Sequence, residues 1–163
     1  MDAQSEADFA DYVRGRGPSL MRLAYSLVGD WDRADDVVQA AFVRLHGAWP
    51  RVSASASLDA YSRRVVTNEA NRWWRRPSRR ESLVPPPDTS VDALTGVDAR
   101  DELWRLLQSL PHRQRAVVVL RYVEDLSEQE TAALLGCRVG TVKSAASKAL
   151  ARLRAVALEG ERA

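Results

Sequence analysis

One stretch of this sequence can form neither a helix nor a sheet, and it organises everything else. Residues 77–98 hold four of the seven prolines, among serine, threonine, aspartate and glycine. Proline lacks a backbone N–H and fixes its own φ, so three in a row at 85–87 end any regular ladder. Ordered loops beyond about 12–15 residues are uncommon inside a compact domain. The stretch therefore reads as a flexible linker. It divides the 163-residue chain into modules at 1–76 and 99–163.

Both modules read as helical. No segment alternates apolar and polar residues for long, and no hairpin dipeptide joins two strand-like runs. The expected fold class is all-α, with two small helical domains. In the first module, Gly15-Arg16-Gly17-Pro18 is expected to break a helix that starts near Phe9, and a second helix ends near Gly29. Asp30 is placed to cap a helix running to about His46, ended by Gly47 and Pro50. Ser53 to Ser57 is a small-residue loop, and Ser57 can cap a helix over 58–76. The second module carries expected helices at 98–110, 112–123, 127–135 and 139–157. Pro111 starts the second of these, Ser127 and Glu130 make a capping box for the third, and Gly136 ends it.

Several classes of protein are excluded early. One cysteine cannot form an intramolecular disulfide, and His46 and His112 are too few and too far apart for a zinc cluster. No Gly-rich phosphate loop and no nucleophile–histidine pairing is present, so no cofactor, no metal and no enzymatic activity are expected. No apolar run approaches the ~18 residues of a membrane span. The N-terminus lacks the basic and apolar regions of a secretion signal, which makes the cytoplasm the expected compartment, without direct membrane insertion.

The net charge of +2 hides a segregated pattern. Residues 1–60 carry net −3, 61–80 net +6, 81–126 net −3 and 127–163 net +2. Two basic zones suggest two polyanion contacts, and the acidic zones suggest a surface for a protein partner.

Residues 126–154 have the shape of a helix-turn-helix: a short capped helix, a glycine turn and a longer basic helix. On the second helix Val142, Ala146, Leu150 and Leu153 form one apolar face. Lys143, Ser144, Ser147 and Lys148 fall opposite, where they can reach base edges and phosphates in a major groove. Thr141 and Arg152 are better placed for phosphates. Cys137, in the turn, reads as a small apolar residue.

In the first module, Ala34, Val37, Val38, Ala41, Phe42 and Leu45 share the inward face of the 32–46 helix. Asp32, Asp36, Gln39 and Val43 share the outward face, with Asp35 beside them. That face suits either solvent or a basic partner. On the 58–76 helix, Leu58, Tyr61, Val65, Val66 and Trp73 lie on one side. Arg64, Thr67, Asn68, Asn71, Trp74 and Arg75 lie on the other, with Arg63 and Arg72 at the margins and Arg76 at the end. Arginine supplies phosphate contacts, asparagine reads base edges and aromatic rings stack on unpaired bases. Glu69 falls on the apolar side, where periodicity gives it no role.

The order of these parts resembles the extracytoplasmic-function sigma factors of bacterial RNA polymerase, in their short actinobacterial sigma-E-like type. The segment from Asp32 to Leu45 looks like that family's region 2.2. The resemblance implies that Asp32, Asp35, Asp36, Gln39 and Val43 meet core RNA polymerase through its β′ and β subunits. Leu58 to Arg76 looks like the helix that holds single-stranded −10 DNA. This implies promoter contacts for Arg63, Arg64, Thr67, Asn68, Asn71, Arg72, Trp74, Arg75 and Arg76. The loop 49–57 matches the segment that captures a flipped −10 base. Val139 to Arg154 looks like the helix that reads double-stranded −35 DNA, which implies Thr141, Lys143, Ser144, Ser147, Lys148 and Arg152. The resemblance also implies region 2 at 1–76, region 4 at 99–163 and an anti-sigma factor as a possible further partner. The alternative reading is a stand-alone, dimeric helix-turn-helix regulator, which binds a palindrome without polymerase.

Overall fold

The computed structural model describes residues 1–75 and 99–162. The expected linker at 77–98 and Arg76 lie outside the described residues. Among these residues every regular element is helical, and the chain is all-α. It separates into two compact units, 1–73 and 74–163.

The first unit is built on α1 (Ala3–Val28), α2 (Trp31–Val52) and α3 (Leu58–Trp74). Asp2 caps α1 by accepting from Ser5 N–H at 2.8 Å. Gly29 closes the helix at φ 77°, a left-handed conformation that glycine adopts without a Cβ clash. Asp30 then caps α2 through Arg33 N–H at 2.9 Å. The core is the predicted stripe of α2 packed on the second half of α1. Ala34, Val37, Val38, Ala41 and Leu45 meet Leu23, Ala24, Leu27 and Val28, all buried. Val65, Val66, Ala70 and Trp73 supply the third wall from α3.

Two expected breaks do not occur. α1 runs through Gly15 to Pro18, and α2 runs through Gly47 and Pro50 to Val52. A proline inside a helix costs about 3 kcal/mol relative to alanine, so packing on both sides of it must hold the helix. On α1 that packing precedes Pro18 as well as following it. Phe9 meets Trp49 edge to face at 5.1 Å, and the Tyr12 ring lies 5.3 Å from the same indole. Trp49 is itself 3% exposed, and seating it requires α2 to continue beyond Gly47. Periodicity around a proline reports the local penalty; it does not report the buried aromatic that outweighs it.

Tyr12 also ties α1 to α3. Its hydroxyl shares a 2.7 Å hydrogen bond with Ser62 Oγ and lies 3.3 Å from Asp59 Oδ1. Burial pushes the Tyr12 phenol above its usual range. The Ser62 bond works against that shift, the Asp59 charge adds to it, and Arg16, which pairs with Asp59, opposes it. α3 starts at Leu58 as expected, and Tyr61 N–H bonds the Ser57 carbonyl. The Ser57 hydroxyl pairs with Ser55.

The second unit contains α4 (Ala99–Gln108), α5 (His112–Val118), α6 (Glu128–Leu135) and α7 (Val139–Arg162). α5 continues into one π-helical turn, Val119–Val123, so the expected 112–123 helix widens near its end. Ser127 caps α6 through Glu130 N–H at 3.0 Å, and Gly136 closes it at φ 64°. The core is Leu107 and Leu110, then Ala116 to Leu120, then Ala132, Leu135, Val142, Ala145 and Ala149. The inward face of α7 is rotated from the expected one. Ala145 and Ala149 are buried beside Val142, while Ala146, Leu150 and Leu153 are half-buried. Alanine at those two positions lets α7 approach its neighbours closely.

Candidate nucleic-acid interface

Three surfaces carry the chemistry. The first is the outer face of α2. Asp32, Asp35, Asp36 and Gln39 are all exposed. Val43 stands 74% exposed among them. The inward stripe of this helix buries Ala34, Val37, Val38, Ala41 and Leu45, so its packing leaves the acidic residues and Val43 outward together.

The second surface is a polar cleft of about 440 Å³ between α2 and α3. Arg44, Gly47, Ala48 and Arg51 line it from α2, at i, i+3, i+4 and i+7. Tyr61, Arg64, Val65, Asn68, Glu69 and Arg72 line it from α3, at i, i+3, i+4, i+7, i+8 and i+11. Both sets are single helical faces. Gly47 and Ala48 keep the α2 wall low, so the four arginines stand around open space. Glu69, 8% exposed, sits against this wall and pairs with Arg44. Arg72 Nη1 lies 4.0 Å from the same Glu69 oxygen. The buried carboxyl therefore faces two guanidinium groups, which explains how an acidic side chain occupies the inner side of α3.

Of the residues expected to meet single-stranded DNA, Arg63, Arg64, Asn68, Arg72 and Arg75 are exposed. Asn71 and Trp74 are half-buried. Arg76 lies outside the described residues. Thr67 is a correction: it is 1% exposed and does not join the outer face. The buried arc of α3 runs from Val65 past Val66 to Thr67, wider than the stripe drawn from apolar residues alone. Arg44, Arg51, Tyr61 and Glu69 were missed as cleft residues. A signal existed in the Arg44/Arg51 spacing of seven on α2, matched by Arg64/Asn68/Arg72 on α3. It becomes legible only when the two helices are set side by side.

The third surface is the outer side of α7. Lys143, Ser144, Ser147, Lys148 and Arg152 are exposed, and Thr141 is half-exposed at the first turn. Lys143 Nζ lies 3.8 Å from Glu128 on α6. Short capped helix, glycine turn and long basic helix together form a helix-turn-helix, whose second helix has polar and cationic side chains for a duplex groove.

Residues 12–80 match the family model for sigma-70 region 2, and residues 100–153 match the model for sigma-70 region 4. The RNA polymerase sigma-E factor of Streptomyces avermitilis is 46% identical over 151 residues, covering 90% of this chain and 83% of that protein. The sigma-E factor of Streptomyces coelicolor is 43% identical over 151 residues, covering 90% of this chain and 84% of that one. Among solved structures, the sigma factor RpoE of Bartonella quintana, in complex with the anti-sigma factor NepR, matches with a TM-score of 0.64 at 25% identity. That match covers 90% of this chain and 94% of the other. A helical unit followed by a helix-turn-helix unit, each matched in chain order, defines a transcription initiation factor of the sigma-70 type. The chain belongs to the extracytoplasmic-function RNA polymerase sigma factors. Its function is to bind core RNA polymerase and promoter DNA and so direct initiation. Among the described residues no helix is long and apolar enough to cross a membrane.

Proposed function

We propose that this sigma factor divides its work among the three surfaces, and we assign residues to each. Asp32, Asp35, Asp36, Gln39 and Val43 on α2 dock on core polymerase. Carboxylates with an exposed valine at their edge suit a basic, partly apolar groove on a partner. The α2–α3 cleft holds unpaired −10 bases, and Arg63, Arg64, Asn68, Asn71, Arg72, Trp74, Arg75 and Arg76 are assigned as contacts to the same strand. Thr141, Lys143, Ser144, Ser147, Lys148 and Arg152 on α7 read the −35 duplex.

The cleft is the observation that carries this reading. Four arginines supply phosphate contacts, Asn68 supplies a base-edge reader and Tyr61 a ring, all around one opening. A flat basic face would bind duplex as readily as single strand. A recess accepts a base only after it leaves the stack, so occupancy favours the melted promoter. Unstacking costs a few kcal/mol, and base capture offsets part of it. Holding both DNA-binding units on one polymerase converts two weak contacts into one stronger one through effective concentration.

On this reading the chain performs no bond chemistry, and the polymerase supplies catalysis. It acts in the cytoplasm, where polymerase and promoter are. An anti-sigma factor that covers the α2 face or the cleft would switch it off; the complex of the RpoE neighbour with NepR supports such a partner. The test is transcription in vitro with core enzyme and this protein, with start points sequenced. Defined starts preceded by recurrent −10 and −35 sequences are the expected result. A soundly folded chain that binds core enzyme and directs no start overturns the assignment.

A further inference from the structure

Glu69 is the one carboxyl among the cleft-lining residues, and it lies on the wall of a site surrounded by four guanidinium groups. A site built for phosphate alone has no use for it, because a carboxylate competes with the phosphate for the same donors. Its burial is also unfavourable unless its charge is matched. The geometry shows what it does to its neighbours. Arg44 engages Glu69 through Nε. The contact is an ion pair without hydrogen-bond alignment, so the opposite charges hold the Arg44 head group beside the carboxyl while its N–H donors remain open to other acceptors. Arg72, one turn beyond Asn68, reaches the same Glu69 oxygen at 4.0 Å. Glu69 thus pairs with arginines from both walls, and adjoins Asn68 in sequence.

We infer that Glu69 is a positioning residue for base reading. It orients Arg44 and Arg72 toward a base or its adjoining phosphate. By neutralising part of the cleft's positive charge, it also keeps the site from holding any polyanion indiscriminately. The inference rests on the assignment of unpaired promoter bases to the cleft and deepens it: the carboxyl trades strength of binding for sequence discrimination. This distinguishes Glu69 from a merely structural residue, whose loss would weaken all DNA alike.

The test uses full-length chain bound to core polymerase, with core enzyme alone as background. The probe is a randomised twelve-nucleotide single strand, whose bound fraction is recovered and sequenced at several KCl concentrations. For Glu69→Gln, total binding at low salt should rise or hold. The slope of log affinity against log salt should steepen by about 0.7, one more phosphate neutralised on a single strand. Enrichment of the sequences preferred by the wild type should fall roughly tenfold, the scale of one lost base-reading contact. Glu69→Asp, which keeps the charge, should restore the wild-type slope. Arg44→Gln alters the same arrangement from its exposed side, so it serves if Glu69→Gln fails to fold; it should also lower the enrichment. A uniform loss of binding with slope and enrichment unchanged would overturn the inference and leave the cleft assignment standing. A wild-type complex with no enrichment at all would remove both.

Discussion

Gly47 offers a test in which one position reports separately on fold and function. It lies inside α2 and on the cleft wall, and a Cβ built there meets nothing within 4 Å. Glycine in an exposed helix interior is about 0.8–1 kcal/mol worse than alanine, in part because it leaves the unfolded chain more freedom. Gly47→Ala should therefore stabilise the first unit by about that amount. For a unit of this size, 1 kcal/mol corresponds to roughly 4–8 °C in Tm. Scanning calorimetry of the full chain measures it. Gly47→Glu keeps a good helix former at the same site but places a carboxylate in the opening between the arginines. Its Tm should stay near that of Gly47→Ala, while its salt slope for single-stranded DNA falls by about 0.7, one phosphate contact fewer. Fluorescence anisotropy on a labelled non-template strand compares the two variants. A lowered Tm for Gly47→Ala would refute the open helical environment at this position. Equal DNA binding by the alanine and glutamate variants would place the cleft off the path of the strand.

Four other outcomes are expected. Asp36→Arg combined with Gln39→Ala should abolish binding to core polymerase in a pull-down while far-ultraviolet circular dichroism stays unchanged; undiminished binding removes the α2 face from docking. Lys148→Ala should weaken binding to one class of −35 sequence by roughly 1–3 kcal/mol, whereas an equal loss on every duplex would make Lys148 a phosphate anchor. Ser127→Ala removes the α6 cap and should lower the stability of the second unit by about 1 kcal/mol in urea unfolding. Tyr12→Phe should destabilise the first unit by about 1 kcal/mol near neutral pH, from the lost bond to Ser62. The raised Tyr12 pKa keeps the folded form protonated where the unfolded form ionises. Its contribution is therefore complete below the unfolded value of 10.0 and is lost as pH rises through the folded one. The phenylalanine variant should show a shallower alkaline decline than wild type above pH 10.0.

What the sequence discloses and what it withholds follow from how far each signal reaches. The inward stripe of α2 was readable because Ala34, Val37, Val38, Ala41 and Leu45 repeat on one helix, and burial follows that repeat directly. The caps at Asp30 and Ser127 were readable because a cap is a contact within three residues. The continuity of α1 through Pro18 was not, since it depends on Phe9 and Tyr12 meeting Trp49 some 40 residues away. Thr67 was misplaced because a polar residue gives no apolar signal even when it is buried. The cleft was half legible. Arg64, Asn68 and Arg72 stood out on α3, but Arg44 and Arg51 acquire meaning only from the helix that faces them. Glu69 was unintelligible alone and becomes a member of a charged group once Arg44 is placed beside it.

The charge pattern along α2 satisfies two demands at once, which is why composition cannot apportion it. Asp32 in the first turn and Arg51 in the last each favour the helix dipole. The same arrangement puts the carboxylates of the proposed docking face in the first half of α2 and the cleft arginines in the second. From Asp36 to Arg44 the axial rise is about 12 Å at 1.5 Å per residue. That exceeds the Debye length of about 8 Å at physiological salt, so the two ends scarcely feel each other there. One helix can thus present an anionic face to a protein and a cationic wall to DNA without either weakening the other. Near 0.01 M salt the screening length grows to about 30 Å. The two ends then couple, and Asp36→Arg should strengthen single-stranded DNA binding at low salt and leave it unchanged at physiological salt. An Asp36→Arg effect on DNA that persists at physiological salt would mean that the strand itself passes over the acidic face, and the division of α2 into two working ends would be wrong.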